Sequence, residues 1–95
     1  MPEYLYYFQE ITQTYQISEQ FIRECLQKQW IEPLDTEASK LSQEDIARLL
    51  LIRDLMEDMG VNDESVPVIL NLIDQIHALK RKARLLGEKA QKNSV

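Results

Sequence analysis

The 95-residue sequence predicts a mainly α-helical protein, a small helical domain followed by one long helix. Three observations predict it. Glycine (two residues) and proline (three) are scarce, so few of the turns that a many-stranded sheet needs are signalled. Apolar residues recur at helical spacing in three stretches before Gly60. From Ile69 an unbroken 3-4-3-4-3-4 apolar seam runs across three heptads. A hydrophobic content of 44 % is in the range of a folded chain.

Residues 3–7, "EYLYY", are β-permissive and form a short strand or an arm; Tyr4, Tyr6 and Tyr7 either cover the core or make contacts. A first helix starts at Phe8, with Ile11 and Tyr15 on the same stripe. "YQIS" is a tight turn, and the Ser18 hydroxyl is placed to cap the next helix. Phe21, Ile22, Cys25 and Leu26 are that helix's apolar stripe. Pro33 holds Glu32 extended, so the helix has ended by then. Residues 17–33 have the cadence of the second helix and exit strand of a helix-turn-helix, and residues 34–41, "LDTEASKL", read as a loop or wing.

Ser42 and Asp45 have the spacing of a capping box for a third helix over residues 43–59, and Gly60 suits its left-handed end. Ser65 caps a last helix with Pro67 at its second position, where no N–H is needed. Ile69, Leu72, Ile76, Leu79, Ala83, Leu86 and Ala90 are the seam. A seam this long outruns so small a body and predicts a homodimer through a two-helix coiled coil. Val66, Leu70 and Ile73 are a second stripe for packing on the body. The organisation read is a domain over residues 1–64, a dimerisation helix over 65–90 and a disordered tail over 91–95.

Charge is divided unevenly. Residues 1–64 hold fourteen Asp/Glu and five Lys/Arg, a balance of −9; residues 65–95 stand at +4, for −5 in all. Such asymmetry points to two surfaces with different tasks. One cysteine, no basic-plus-apolar leader and no apolar run of membrane length place the protein in the cytoplasm, without a membrane partner. With no nucleophile–base pair, glycine-rich phosphate loop or cluster of metal ligands, no enzyme activity, metal or cofactor is expected.

The pieces "FQEIT", "YQIS", "FIREC", "WIEP" and "LSQEDIARLLLIRDLMEDMG", followed by a long helix, resemble a MerR-like winged helix-turn-helix protein in order and spacing. "GVNDESVPVILNLIDQIHALKRKARLL" makes the chain similar, more narrowly, to the CbpM-type chaperone modulators. The resemblance spans roughly residues 7–87. It implies a winged helix-turn-helix domain with a C-terminal dimerisation helix. It also implies a partner, the J-domain of a DnaJ-type co-chaperone, which the protein binds and inhibits by blocking access to Hsp70. Where DNA-binding relatives often carry glycine, this chain has Gln16 in the turn and Trp30 before Ile31; its wing holds two acids and one lysine.

The alternative is a DNA-binding transcriptional regulator of the same fold. Its affinity would come largely from Lys/Arg on phosphates. Arg23, Lys28 and Lys40 stand against seven acids between residues 17 and 45, a balance of −4 that disfavours nucleic acid. The same charge complements a basic protein surface. The residues expected to meet the J-domain are Glu19, Glu24, Asp35, Glu37, Asp54, Glu57 and Asp58. Any one of them alone is an ordinary solvated acid. Arg53 lies at the core edge and is expected to pair locally. Trp30 reads as a corner-packing residue, Cys25 as a buried small hydrophobe and His77 as a seam-edge residue. "KRKAR" (residues 80–84) reads as the solvated flank of the last helix.

Overall fold

The computed structural model describes residues 4–33 and 39–93, with side chains through residue 88. Six elements follow in order: β1 (Leu5–Tyr7), α1 (Phe8–Tyr15), α2 (Glu19–Gln27), β2 (Lys40–Ser42), α3 (Gln43–Glu57) and α4 (Val66–Asn93). Residues up to Asn62 form one unit and those from Asp63 a second. The architecture is mainly helical, a helix-turn-helix body and one long C-terminal helix, as the periodicity predicts.

The tyrosine-rich N-terminus is a strand. β1 pairs antiparallel with β2, setting Tyr6 opposite Leu41 and Tyr7 opposite Lys40. The Phe8 N–H extends the ladder by donating to the Ser39 carbonyl at 3.0 Å. Residues 34–38, and with them Asp35 and Glu37, lie outside the described residues.

Each helix of the first unit starts on a side-chain cap. The Glu10 carboxylate accepts from the Tyr7 N–H at the start of α1. Ser18 Oγ accepts from the Phe21 N–H at 3.1 Å at the start of α2. Ser42 and Asp45 form the expected capping box: the Asp45 N–H donates to Ser42 Oγ at 3.2 Å, and the Asp45 carboxylate accepts from the Ser42 hydroxyl and N–H. These bonds satisfy backbone donors that have no partner inside the helix.

The helix ends use left-handed backbone. Gln16 closes α1 at φ 55°. After α2 the left-handed residue is Gln29, at φ 59°, one position before the Trp30 that the resemblance assigns to a glycine site. The physical reason is the hydrogen-bond pattern. The Gln29 N–H donates to the Leu26 carbonyl and the Trp30 N–H to the Cys25 carbonyl, a Schellman arrangement whose left-handed residue is the inner donor, Gln29. Trp30 and Ile31 then form a bend rather than an exit strand, and both are buried. After α3, Gly60 at φ 67° lets the Val61 N–H reach the Leu55 carbonyl at 2.9 Å.

The core of the first unit comes from its three helices and β2, with none of β1 buried. Phe8 and Ile11 of α1, Ile22 and Cys25 of α2, Leu41 of β2, and Ile46, Leu49, Ile52 and Leu55 of α3 are all buried. Met59, the last residue of the helix span predicted over 43–59, is 73 % exposed because the helix ends at Glu57.

Two arginines tie α3 to the rest of this unit. Arg48 Nε donates to the Trp30 carbonyl at 2.7 Å, holding the bend after α2. Arg53 donates to the Tyr15 carbonyl at 3.0 Å, holding the last residue of α1. Arg53 also contacts its neighbour Asp54 at 3.4 Å. Periodicity places Arg53 at the core edge, and it is used there.

In the second unit, the Ile69 N–H donates to the Ser65 carbonyl, so Ser65 sits at the helix start and Pro67 at the second helical position. Val66 and Leu70 are buried. The seam residues Leu72, Ile76, Leu79 and Leu86 are half or more exposed. α4 continues to Asn93, into the segment read as a tail, because Glu88, Lys89, Ala90, Gln91 and Lys92 are all good helix formers.

Three stability outcomes follow for chemical denaturation, read as shifts of midpoint at constant slope. Arg48→Met costs about 1.5 kcal/mol, because it removes a charged donor from the Trp30 carbonyl. Ser42→Ala costs about 1 kcal/mol through the lost capping box. Gln16→Val costs about 1–2 kcal/mol, because a branched side chain resists left-handed backbone, whereas Gln16→Gly stays within about 0.5 kcal/mol.

Candidate functional site

α2 and α3 carry the described acids of the candidate surface. Glu19 and Glu24 are both exposed on α2. Five residues apart, they lie roughly 140° from each other around the helix and flank its solvent face rather than forming one row. Each has an intrahelical partner: Arg23 meets Glu19 at 2.9 Å, and the Gln20 amide donates to Glu24 at 3.3 Å. These are exposed contacts, worth little to stability and readily exchanged for a partner's.

On α3 the geometry is tighter. Asp54, Glu57 and Asp58 are all exposed at spacings i, i+3 and i+4, so they share one face. They also crowd the C-terminal turn of α3, where the helix dipole disfavours anions. Three carboxylates at that end leave a strong local negative potential, met within the chain by the Arg53 contact to Asp54.

The cations of the first unit are placed differently. All five Lys/Arg of residues 1–64 are engaged within the chain. Arg23 holds Glu19 and lies over the Phe8 ring, 5.7 Å from its centroid. Lys28 Nζ lies over the Trp30 ring at 4.8 Å, and Lys40 Nζ over the Tyr7 ring at 4.5 Å. Arg48 and Arg53 serve backbone carbonyls. Each ring contact stabilises its cation by about 0.5–1 kcal/mol at an exposed site, which a phosphate would have to replace. The Lys40–Tyr7 contact follows from the β1–β2 register, which no local sequence pattern discloses.

Of the remaining singled-out residues, Trp30 and Cys25 take structural positions and the others are exposed. Trp30 packs at the bend and is 7 % exposed, and Cys25 is fully buried. His77 and residues 80–84 lie on the exposed part of α4. Among the described residues no group of three or more His, Cys, Asp or Glu is placed to hold a metal ion. No described helix is long and apolar enough to cross a membrane.

No curated protein and no solved structure gives a significant match to the chain. A family comparison does: residues 6–88 match the MerR HTH family of regulatory proteins, from β1 through most of α4. That family is regulatory rather than enzymatic. With the match covering most of the chain and the helix-turn-helix in place at α1 and α2, the chain belongs to the MerR HTH family of regulatory proteins.

Proposed function

We propose that the protein is a protein-binding modulator that inhibits a DnaJ-type co-chaperone, as the CbpM-type chaperone modulators it resembles do. Its acidic first unit engages the J-domain and blocks access to Hsp70. One observation carries this reading above others in the family. Every Lys/Arg of residues 1–64 is engaged within the chain, while Glu57 and Asp58 face solvent beside Asp54. A helix-turn-helix that bound DNA would need those cations for phosphates. A surface of surplus carboxylates instead favours a basic protein partner and speeds its association. Glu19 and Glu24 on α2 are further contacts in the proposal, as are Asp35 and Glu37, which lie outside the described residues.

The second reading is a DNA-binding regulator of the same fold, and the family match is consistent with either. A salt-titrated mobility-shift assay separates the two. The proposal expects no sequence-selective DNA binding at physiological salt; tight selective binding there contradicts it.

The same proposal makes the protein a homodimer through α4, with Ile69, Leu72, Ile76, Leu79, Ala83, Leu86 and Ala90 as its seam. The support is exposure: the seam residues Leu72, Ile76, Leu79 and Leu86 are half or more open to solvent, a continuous apolar stripe of the kind that marks an interaction surface.

Two outcomes test these statements. Asp54→Lys combined with Glu57→Lys lowers the association rate with the J-domain about tenfold at low salt, and the gap closes as salt rises; an unchanged rate at low salt removes this patch. Leu79→Asp shifts the sedimentation of the full chain from dimer to monomer; wild-type protein that already sediments as a monomer at high concentration refutes the seam.

A further inference from the structure

We propose that the groove between α1 and α3 seats a large apolar side chain carried on a basic helix of the protein partner. The inference rests on the protein-binding reading and adds the anchor that charge alone does not supply.

The groove has a volume of about 410 Å³ and lies wholly within the first unit. That is within the range that holds a discrete ligand group, about 300–1,000 Å³. Its base is the buried pair Ile11 and Ile46, and its sides include Tyr15 and Leu50. Tyr15 is 39 % exposed, so the unit's own core leaves this surface uncovered. At the mouth stand the exposed residues Glu10 and Thr14 on α1 and Ala47 on α3.

Charge identifies the occupant. No Lys or Arg lines the groove, and Glu10 does. On α3, Ala47 and Leu50 are followed at helical spacing by Asp54 and Glu57, so the wall of the groove continues directly into the acidic face. Arg53, between Leu50 and Asp54 on α3, is turned to the Tyr15 carbonyl and to Asp54. An apolar floor with carboxylates at its rim and along its continuation fits a helix that alternates basic residues with an apolar anchor. Such a helix buries the anchor in the groove and lays its cations on Glu10, Asp54 and Glu57, the helix-in-groove mode of recognition. The lining also carries the polar groups of Tyr6, Thr14, Tyr15 and Gln43 around the apolar base, and a desolvated anchor ringed by polar contacts is how interface hot spots are built.

The test uses the full chain and a full-length DnaJ-type co-chaperone, with affinity read by calorimetry and self-association by sedimentation. Thr14→Arg and Ala47→Gln both fill the mouth from exposed positions, so the fold tolerates them, and circular dichroism melting checks this. Both weaken binding by about tenfold or more, while Thr14→Ser binds like the wild type. The neutral Ala47→Gln separates an anchor from charge alone: if it binds as tightly as the wild type, the anchor is refuted even though the acidic face stands. Backbone amide shifts on adding the co-chaperone are expected at residues 14, 47 and 50; shifts confined to α2 overturn the groove while leaving the protein-binding reading intact. If the variants alter self-association and leave co-chaperone binding unchanged, the groove belongs to a second copy and the proposal fails. A wild-type chain that does not bind the co-chaperone at all overturns both.

Discussion

Two arginines on α3 hold the helix-turn-helix together, and much of the surface chemistry follows from where they point. Arg48 is fixed on the Trp30 carbonyl and Arg53 on the Tyr15 carbonyl. One grips the bend after α2, the other the end of α1, so α3 sets the positions of both helices. Their charge is used inside the unit, on backbone acceptors that otherwise have no helical partner. Arg23, Lys28 and Lys40 are likewise drawn to a carboxylate or an aromatic face. A unit at −9 whose five cations all have partners within the chain presents a predominantly acidic surface. The charge of the surface is therefore a consequence of how the fold is tied, as well as of composition.

Local features of this chain were legible in its sequence. Ser18, the Ser42–Asp45 box, Gly60 and Pro67 each act where hydrogen-bond and dihedral rules place them, because caps depend on residues three or four apart. Buried positions on α2 and α3 were legible for the same reason. What was not legible depends on contacts far apart in sequence. Arg53 was visible as an edge residue, yet its acceptor lies 38 residues away. Tyr7 and Lys40 meet only because β1 and β2 pair in one register. The left-handed residue after α2 was not read from the sequence; the Schellman bonds put it on Gln29, one position before the Trp30 that stands where relatives often carry glycine. The acidic candidates were legible as a charge excess, but their grouping was not: α3 aligns Asp54, Glu57 and Asp58, while Glu19 and Glu24 flank opposite edges of the exposed face of α2.

A helix-turn-helix is a scaffold, and its task is set by what its surface carries. The family match leaves both a nucleic-acid and a protein partner open. The net charge of −9 and the engagement of the five cations within the unit disfavour binding to a phosphate backbone. The proposed protein partner fits both. It keeps the shape of the fold and its regulatory role, and it gives the exposed carboxylates of α3 and the apolar groove beside them something to bind.

The measurement closest to that claim is an NMR titration of isotopically labelled J-domain with the full unlabelled chain at physiological salt. The account predicts saturable shifts and line broadening concentrated on the basic, Hsp70-contacting helix of the J-domain, weakening as salt is raised. A J-domain spectrum that stays unchanged through excess protein contradicts it.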